Sequence, residues 1–318
     1  MNTRIYSSDG TQYQKPGFVK TTAGVVAGTT AFQVASLAAM PAGIFASHKM
    51  QSLNKGLNSD ALRIGLNQAL GTSGMANVGV KIVDLKTSAN NPLKSAAALG
   101  GISKPSSILD KLKTITAPEL KPKQATSFFG RVKAKIIEAL KDQANPYGAA
   151  KAGRNAFYNP ATNQVVLNTE KLGLSGFHEI GHSINANSSK FWGRMQKLRK
   201  FSMFAPLAIG AIAIFKRKKA EGEETNGVFD KVTTFIKNNA GKLTLASMLP
   251  MVAEELKASA RGNALAKKIL SPELAKKVVK ANRWGALSYI ATAGVTALAV
   301  CLGSKIRDAI AGPKPEVA

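Results

Sequence analysis

The chain has 318 residues, a length that suffices for one large domain or two small ones. Apolar residues make up 45% of it, which excludes a disordered tail, and charged residues only 19%, which is low for a soluble protein. Lys and Arg number 44 against 18 acidic residues, and the formal charge of +26 indicates an anionic partner. Basic residues flank apolar stretches, and no run interleaves Arg with aromatic residues. We therefore expect a membrane with anionic lipids and no nucleic acid; a surface that lysine merely keeps soluble is the alternative.

Residues 1–59 form an N-terminal segment with the first apolar stretch. Residues 1–18 are polar, which argues against a cleaved signal peptide. Residues 21–47 carry no formal charge and are long enough to anchor the chain in a bilayer, although Pro41 interrupts them. The single cysteine, Cys301, excludes an intrachain disulfide, so the fold does not depend on an oxidising compartment.

Residues 60–150 form a helical and loop region to which the sequence assigns no role. Periodicity predicts an amphipathic helix at 60–70 and a short strand at 79–85. We expect loop and short helices at 86–124, which are rich in Ser, Pro, Lys and Ala. Residues 128–140 predict a helix with Lys and Arg on its polar face, which lies either on a membrane or on the protein surface.

Residues 155–168 predict a strand, a turn and a second strand. Asn159 and Pro160 begin the turn, and the apolar run 165–167 forms the second strand. Ser175 is the predicted N-cap of the helix that follows.

That helix carries the pattern HEIGH at residues 178–182. His178 and His182 are four residues apart, so both imidazoles project from one helix face and can bind one zinc ion at about 2.0–2.1 Å. Glu179 lies beside the metal, where its carboxylate can take a proton from zinc-bound water. The pattern predicts a catalytic zinc site with Glu179 as general base; a degenerate or structural site is the alternative.

A catalytic zinc ion needs a third protein ligand and an open position. His48 follows an apolar stretch far from the pattern, where a capping or interfacial role fits better, and residues 183–188 contain no histidine. We therefore expect a carboxylate from a second helix. Glu254 and Glu255 follow an apolar run, where an unpaired carboxylate is costly. The remaining candidates lie in a polar loop and are weaker choices: Glu221, Glu223, Glu224 and Asp230.

HEIGH followed by E-x-x-A-S at residues 255–259 resembles the membrane gluzincins, of the Ste24/HtpX type or the bacterial neutral zinc metallopeptidase type. The resemblance covers about residues 150–305 and implies that Glu255 is the third zinc ligand. It also implies that the strand starting at Asn155 is an edge strand, to which an extended substrate adds. Arg261 matches an Arg common after the second motif and is a candidate oxyanion stabiliser. Ser259 stands where many members have Asp, the residue that would support a metal-bound histidine.

Three further apolar segments follow the histidine pattern. Residues 201–215 and 243–253 are short and lie within a zincin-like core that we expect at 151–283. Residues 285–304 are free of charge and predict a transmembrane helix within the C-terminal segment 284–318. Between residues 255 and 283 there are 8 Lys or Arg against 2 Glu, which favours a cytoplasmic catalytic face, but the loop 216–242 holds 7 more. The resemblance implies the inner membrane of a bacterium.

The sequence thus predicts a mainly α-helical membrane protein with a zincin-like catalytic core and a small β-hairpin or edge strand. We expect a zinc-dependent endopeptidase that acts on a protein or peptide, with His178, His182 and Glu255 as ligands. Two alternatives stay open: a non-catalytic membrane scaffold that retains a zincin-like fold, and a basic peripheral protein that binds anionic lipid.

Overall fold

The computed structural model describes residues 4–6, 12–37, 40–85, 138, 141–142 and 144–315. In these residues the chain is mainly helical with small β-sheets, as the sequence predicts. The predicted loop region 86–124 lies outside the described residues, and so does the predicted helix 128–140 apart from residue 138.

The N-terminal apolar stretch 21–47 belongs to two helices, α1 (Phe18–Leu37) and α2 (Met40–Asn54). The next helix, α3 (Ser59–Thr72), confirms the helix predicted at 60–70. It begins where the side chain of Asn58 accepts hydrogen bonds from the backbone N–H groups of Asp60 and Ala61, the usual way to satisfy a helix N-terminus.

Two three-stranded sheets lie at different places in the chain. The first pairs β1 (Arg4–Tyr6), β2 (Gln12–Gln14) and the C-terminal β6 (Lys314–Pro315). The second has the order β3-β5-β4, with β3 (Lys81–Asp84) parallel and β4 (Phe157–Asn159) antiparallel to the central β5 (Gln164–Leu167). This confirms the predicted strand at 79–85 and the predicted strand pair at 155–168, and it makes β4 an edge strand.

Short helices lead from the sheets to the histidine pattern. Helix α4 (Pro146–Lys151) precedes β4, and α5 (Thr169–Leu172) follows β5. A 3-10 turn, Gly173–Ser175, then runs directly into α6 (Gly176–Ser188). Ser175 immediately precedes α6 as predicted, but the predicted cap is wrong because Ser175 already has helical dihedral angles and its hydroxyl makes no capping bond.

Four helices complete the chain: α7 (Lys190–Phe215), α8 (Gly227–Asn238), α9 (Ala240–Ile269) and α10 (Pro272–Ala311). By length and composition, α10 is the one described helix that could cross a membrane unaided. It contains the stretch 285–304. Helix α7 is a second candidate span if its two halves, Lys190–Arg199 and Phe204–Phe215, are counted as one span bent by 47°. Pro206 explains the bend, since it lacks an N–H and clashes with the preceding turn.

The largest hydrophobic core lies around α6. Side chains of α3 and β5 pack against the buried face of α6, and the C-terminal part of α9 and the first turns of α10 close the core. This packing fixes the histidine helix on three sides, and its fully buried members include Leu62, Leu66, Val165, Leu167, Phe177, Ile180 and Val278.

Candidate metal centre

The candidate site depends on an unusually close crossing of α6 and α9. Gly181 faces the backbone of Ala258, and Gly262 faces the backbone of Phe177; a Cβ atom at either glycine would overlap the facing carbonyl oxygen. Because neither glycine has a side chain, the two helix backbones come into contact. The crossing therefore brings the imidazoles of α6 within reach of the carboxylates of α9.

Three potential ligand atoms converge at this crossing. Nε2 of His178 lies 2.9 Å from Nε2 of His182 and 3.0 Å from Oε2 of Glu255. The same oxygen lies 3.5 Å from Nε2 of His182. The three atoms thus form a small triangle, as the sequence analysis predicts for the three metal ligands.

The outer nitrogens of both imidazoles have hydrogen-bond partners. Nδ1 of His182 lies 2.7 Å from Oε1 of Glu254, and because a carboxylate only accepts, this nitrogen carries a proton. Nδ1 of His178 lies 3.0 Å from Oγ of Ser259. When Nε2 serves as a ligand, the hydroxyl oxygen accepts a hydrogen bond from the Nδ1–H group. Both partners turn the Nε2 lone pairs toward Glu255, an arrangement common around metal-bound histidines. Ser259 thus contacts one histidine, and the supporting carboxylate comes to the other from Glu254.

Glu179 lies beside the triangle with one oxygen fixed. Its Oε2 accepts a hydrogen bond of 2.8 Å from the backbone N–H of Tyr158 in the edge strand β4. Its side chain is buried in the protein but borders a cavity of about 120 Å³, together with His178, Ala156 and Tyr289. The carboxylate is therefore next to both the triangle and the space from which a ligand would enter.

The pKa values show how strongly this site favours positive charge. Burial by itself would lower the pKa of His182, but the charge of Glu255 and hydrogen bonds to Glu254 and Glu255 raise it to about 10. Burial would raise the pKa of Glu255, yet the charge of His182 and a hydrogen bond to His178 hold it well below its usual range. Burial raises the pKa of Glu179, although the charges of His182 and His178 act in the opposite direction. The cluster is built to hold a proton or a cation.

Two further side chains at the site were not identified from the sequence. The guanidinium of Arg199 forms ion pairs with Glu254 and Glu255, and it lies over the ring of Tyr289. The hydroxyl of Tyr289 accepts a hydrogen bond of 3.5 Å from Nη2 of Arg199. In the sequence, Arg199 resembles a basic flank of the apolar run 201–215 and Tyr289 an interfacial aromatic residue. Only the fold shows that both turn toward α9.

Other sequence candidates lie elsewhere. His48 is exposed on α2 and is not part of either described group of possible metal ligands. Arg261 donates a hydrogen bond to the hydroxyl of Ser188, near the C-terminal end of α6, and its role as an oxyanion stabiliser stays a prediction. The weaker carboxylates of the loop bind basic residues there: Glu223 pairs with Arg217, and Asp230 with Lys216 and Lys219.

The donor set fits zinc. Ligand atoms about 2.0–2.2 Å from a tetrahedral zinc ion lie about 3.3–3.5 Å from one another. The observed separations of 2.9, 3.0 and 3.5 Å approach this triangle. Two imidazole nitrogens and one carboxylate oxygen are also the ligand chemistry of a three-residue catalytic zinc site, which keeps a fourth position open. His178, His182 and Glu255 would hold the ion.

No protein family matches this sequence, and no curated protein or solved structure is similar to it.

Proposed function

We propose that the protein is a membrane-associated, zinc-dependent endopeptidase. The observation that carries the proposal is the convergence of His178, His182 and Glu255 on one point, with the buried carboxylate of Glu179 beside it. A structural zinc site would not need Glu179, a fourth group that can act as a base next to a cavity, and structural sites usually have four protein ligands. The resemblance to the gluzincins supports the same assignment.

In the proposed reaction Glu179 moves the proton. Zinc, when bound, supplies Lewis acidity that acidifies water and polarises a peptide carbonyl. Oε2 of Glu179 is held by the Tyr158 N–H, so Oε1 is the atom that accepts the proton of the attacking water and later delivers it to the leaving amine. The raised pKa of Glu179, which burial causes, brings the carboxyl group closer to the pKa that such a proton carrier needs. Tyr289 borders the same cavity, and we propose its hydroxyl as a donor to the carbonyl oxygen.

The proposed substrate is an extended peptide. In the register of β4 and β5, Tyr158 directs its N–H away from β5 and toward Glu179. Peptide groups alternate along a strand, so the N–H and C=O groups of Ala156 also point away from β5. Ala156 borders the cavity. A peptide added to this edge would pass Glu179 with its backbone hydrogen-bonded to Ala156.

The proposed setting is a bilayer. Only 22% of the most apolar window of α10 is buried inside the protein, whereas the core helix of a soluble protein would be mostly buried. Large apolar side chains are exposed on α10 and on the neighbouring α7, among them Leu298 of α10 at 62%, and Phe201 at 72% and Phe204 at 67% of α7. An exposed apolar surface of this kind requires an apolar environment. The bacterial inner membrane with a cytoplasmic catalytic face is the arrangement we propose from the sequence.

The test compares the full chain, purified in detergent, with its Glu179→Gln variant. We expect about one zinc ion per chain in both proteins by plasma mass spectrometry, and hydrolysis of casein or a quenched peptide library only by the wild type. Loss of a general base lowers the rate by about 10²–10⁴-fold. The exposed Glu221→Gln substitution is the matched control and should leave hydrolysis unchanged. Zinc without hydrolysis in the wild type would instead favour the scaffold function, and absence of zinc would refute both.

A further inference from the structure

Helix α8 turns its polar side toward the protein and its apolar side outward, the reverse of an ordinary surface helix. The side turned toward the protein carries Thr233 and Lys237, which are buried, and Asp230. The side turned outward is apolar and exposed: Val228 is 79% exposed, Phe229 82%, Val232 49% and Phe235 59%. An amphipathic helix on a protein in water buries its apolar side, so the outward face of α8 is suited to a nonaqueous environment.

Specific bonds hold α8 in this orientation. The ammonium group of Lys237 donates to the carbonyl oxygen of Ala213 at 2.7 Å and lies 2.9 Å from Oδ1 of Asp308. At the start of the helix, Asp230 pairs with Lys216 and Lys219 and accepts a hydrogen bond from the N–H of Asn226. Since Lys237 and Asp230 both point inward, the helix cannot rotate its apolar side into the protein without breaking these ion pairs.

The position of α8 relates it to the candidate membrane span. Lys237 also reaches the hydroxyl of Ser304, the last residue of the charge-free stretch 285–304 in α10. Helix α8 is therefore fixed where the apolar part of α10 ends. Apolar side chains near the end of this stretch are likewise exposed: Phe215 at the end of α7, and Leu302 and Ile306 of α10.

The charge around α8 indicates which surface covers it. Residues 216–242 contain seven Lys or Arg and four acidic residues. Four of the basic residues pair with carboxylates of the protein, whereas Lys218, Lys231 and Lys242 are exposed. Basic residues beside an exposed apolar helix face are the combination that binds an anionic membrane surface, where lipid headgroups meet the charges and acyl chains meet the apolar side chains.

We propose that α8 lies in the interface of an anionic bilayer, with Val228, Phe229, Val232 and Phe235 among the acyl chains and the surrounding lysines at the lipid phosphates. The helix fixes the loop between α7 and α9 to the membrane surface. This binding surface is separate from the zinc site and does not require that the chain hydrolyse peptides.

A fluorescent probe at single positions tests the proposal in the full chain. Cys301, the one cysteine, is replaced by Ser, and an environment-sensitive dye is attached to Phe229→Cys or Phe235→Cys. Asn238→Cys is the matched control for position 229, because Asn238 is exposed on the same helix but, nine residues after Phe229, lies on its opposite side. Position 235 is only three residues from Asn238 and is compared with position 229, with which it shares the apolar face. Each protein is reconstituted into vesicles of phosphatidylglycerol and phosphatidylcholine with brominated acyl chains, which quench only a probe that touches lipid.

We expect quenching at position 229 at least about twice that at 238, and clear quenching at 235, as for an interfacial helix with one face in the acyl region. Quenching at 229 should fall when phosphatidylcholine replaces all phosphatidylglycerol or when salt is raised. Equal, weak quenching at all three positions would overturn the proposal, because α8 would then lie in water. A blue-shifted probe without quenching would also overturn it and would assign the face to protein, such as a second copy. Equal quenching in vesicles with and without phosphatidylglycerol would refute the preference for anionic lipid.

Discussion

Two buried ionic clusters in the described part of the chain differ in how their charges are arranged. At the C-terminal end of α10, Lys237 and Arg307 both contact Asp308, and each also donates a hydrogen bond to a backbone carbonyl oxygen. At the crossing of α6 and α9, two imidazole nitrogens and a carboxylate oxygen instead point their lone pairs at one another. The charged groups of the first cluster bond to one another. In the second, Arg199 pairs with Glu254 and with Oε1 of Glu255, but the triangle of the two Nε2 atoms and Oε2 is completed only by a proton or a cation.

This difference separates a structural cluster from a binding site. Charges that are paired with one another hold helices together, and in the first cluster they join α8 to α10. Buried acceptor atoms that converge without enough hydrogen-bond donors lower the stability of the folded protein, unless a proton or a cation binds among them. Burial alone would not distinguish the two clusters, since His182, Glu254, Lys237 and Arg307 are all buried.

The largest expected effect on stability comes from breaking the paired cluster. Asp308→Ala leaves the buried side chains of Lys237 and Arg307 without their carboxylate. Removing one partner of a buried ion pair costs about 3–5 kcal/mol. We expect a loss of this size in the free energy of unfolding, measured in one detergent, with unchanged zinc content in the folded fraction.

Asp60→Ala is the control for this prediction. Asp60 pairs with Arg63 at 3.7 Å on the surface, and its side chain is 77% exposed. Such a pair contributes at most about 1 kcal/mol. Equal losses in the two variants would show that the Asp308 cluster is not the structural element we describe.

The next largest effect should come from separating the two helices at the candidate metal centre. Gly181→Ala places a Cβ against the carbonyl of Ala258. Overpacking of this kind costs about 1–3 kcal/mol, and here it also moves the histidines away from Glu255. We expect reduced stability together with loss of zinc. Gly71→Ala in α3, where a Cβ meets open space, should leave both properties unchanged; zinc retention in Gly181→Ala would contradict the role of the close crossing.

The sequence predicts much of the site because its information is local. His178, Glu179 and His182 lie within five residues, so helix geometry alone relates them. Glu254 and Glu255 are adjacent on α9 and point to different sides of His182, one to Nδ1 and one to the triangle. Their separate roles depend on the rotation of α9, which the sequence analysis left open.

The parts that were missed are those that depend on tertiary packing. Arg199 and Tyr289 reach the site from α7 and α10, and no local pattern marks them as site residues. The strands and the helix at 60–70 were predicted because strong periodicity and turn residues fix them. The reversed face of α8 was not, because its apolar positions resemble those of an ordinary surface helix until the burial of Lys237 is known.

A smaller effect is expected from weakening the support of His182. Glu254→Gln keeps the volume of the side chain but removes the charge that faces Nδ1. Changes to such supporting partners lower metal affinity by about 10–100-fold. Competition with a fluorescent zinc chelator measures the affinity, and an unchanged value would mean that Glu254 serves only the ion pair with Arg199.

The smallest effect on zinc affinity is expected from removing the hydrogen bond between Ser259 and His178. Ser259→Ala removes one neutral hydrogen bond, worth about 0.5–1.5 kcal/mol, and should weaken zinc binding by no more than about tenfold. Ser259→Asp should restore or strengthen it, because a carboxylate is the stronger acceptor for Nδ1. A larger loss for Ser259→Ala than for Glu254→Gln would reverse the ranking of the two supports.

X-ray absorption at the zinc edge of the full chain decides whether one zinc ion joins α6 to α9. We expect one ion with two imidazole nitrogens and a carboxylate oxygen at about 2.0–2.2 Å, and an altered spectrum or lost metal in Glu255→Ala. A zinc spectrum without imidazole scattering, or one that Glu255→Ala leaves unchanged, would contradict this expectation.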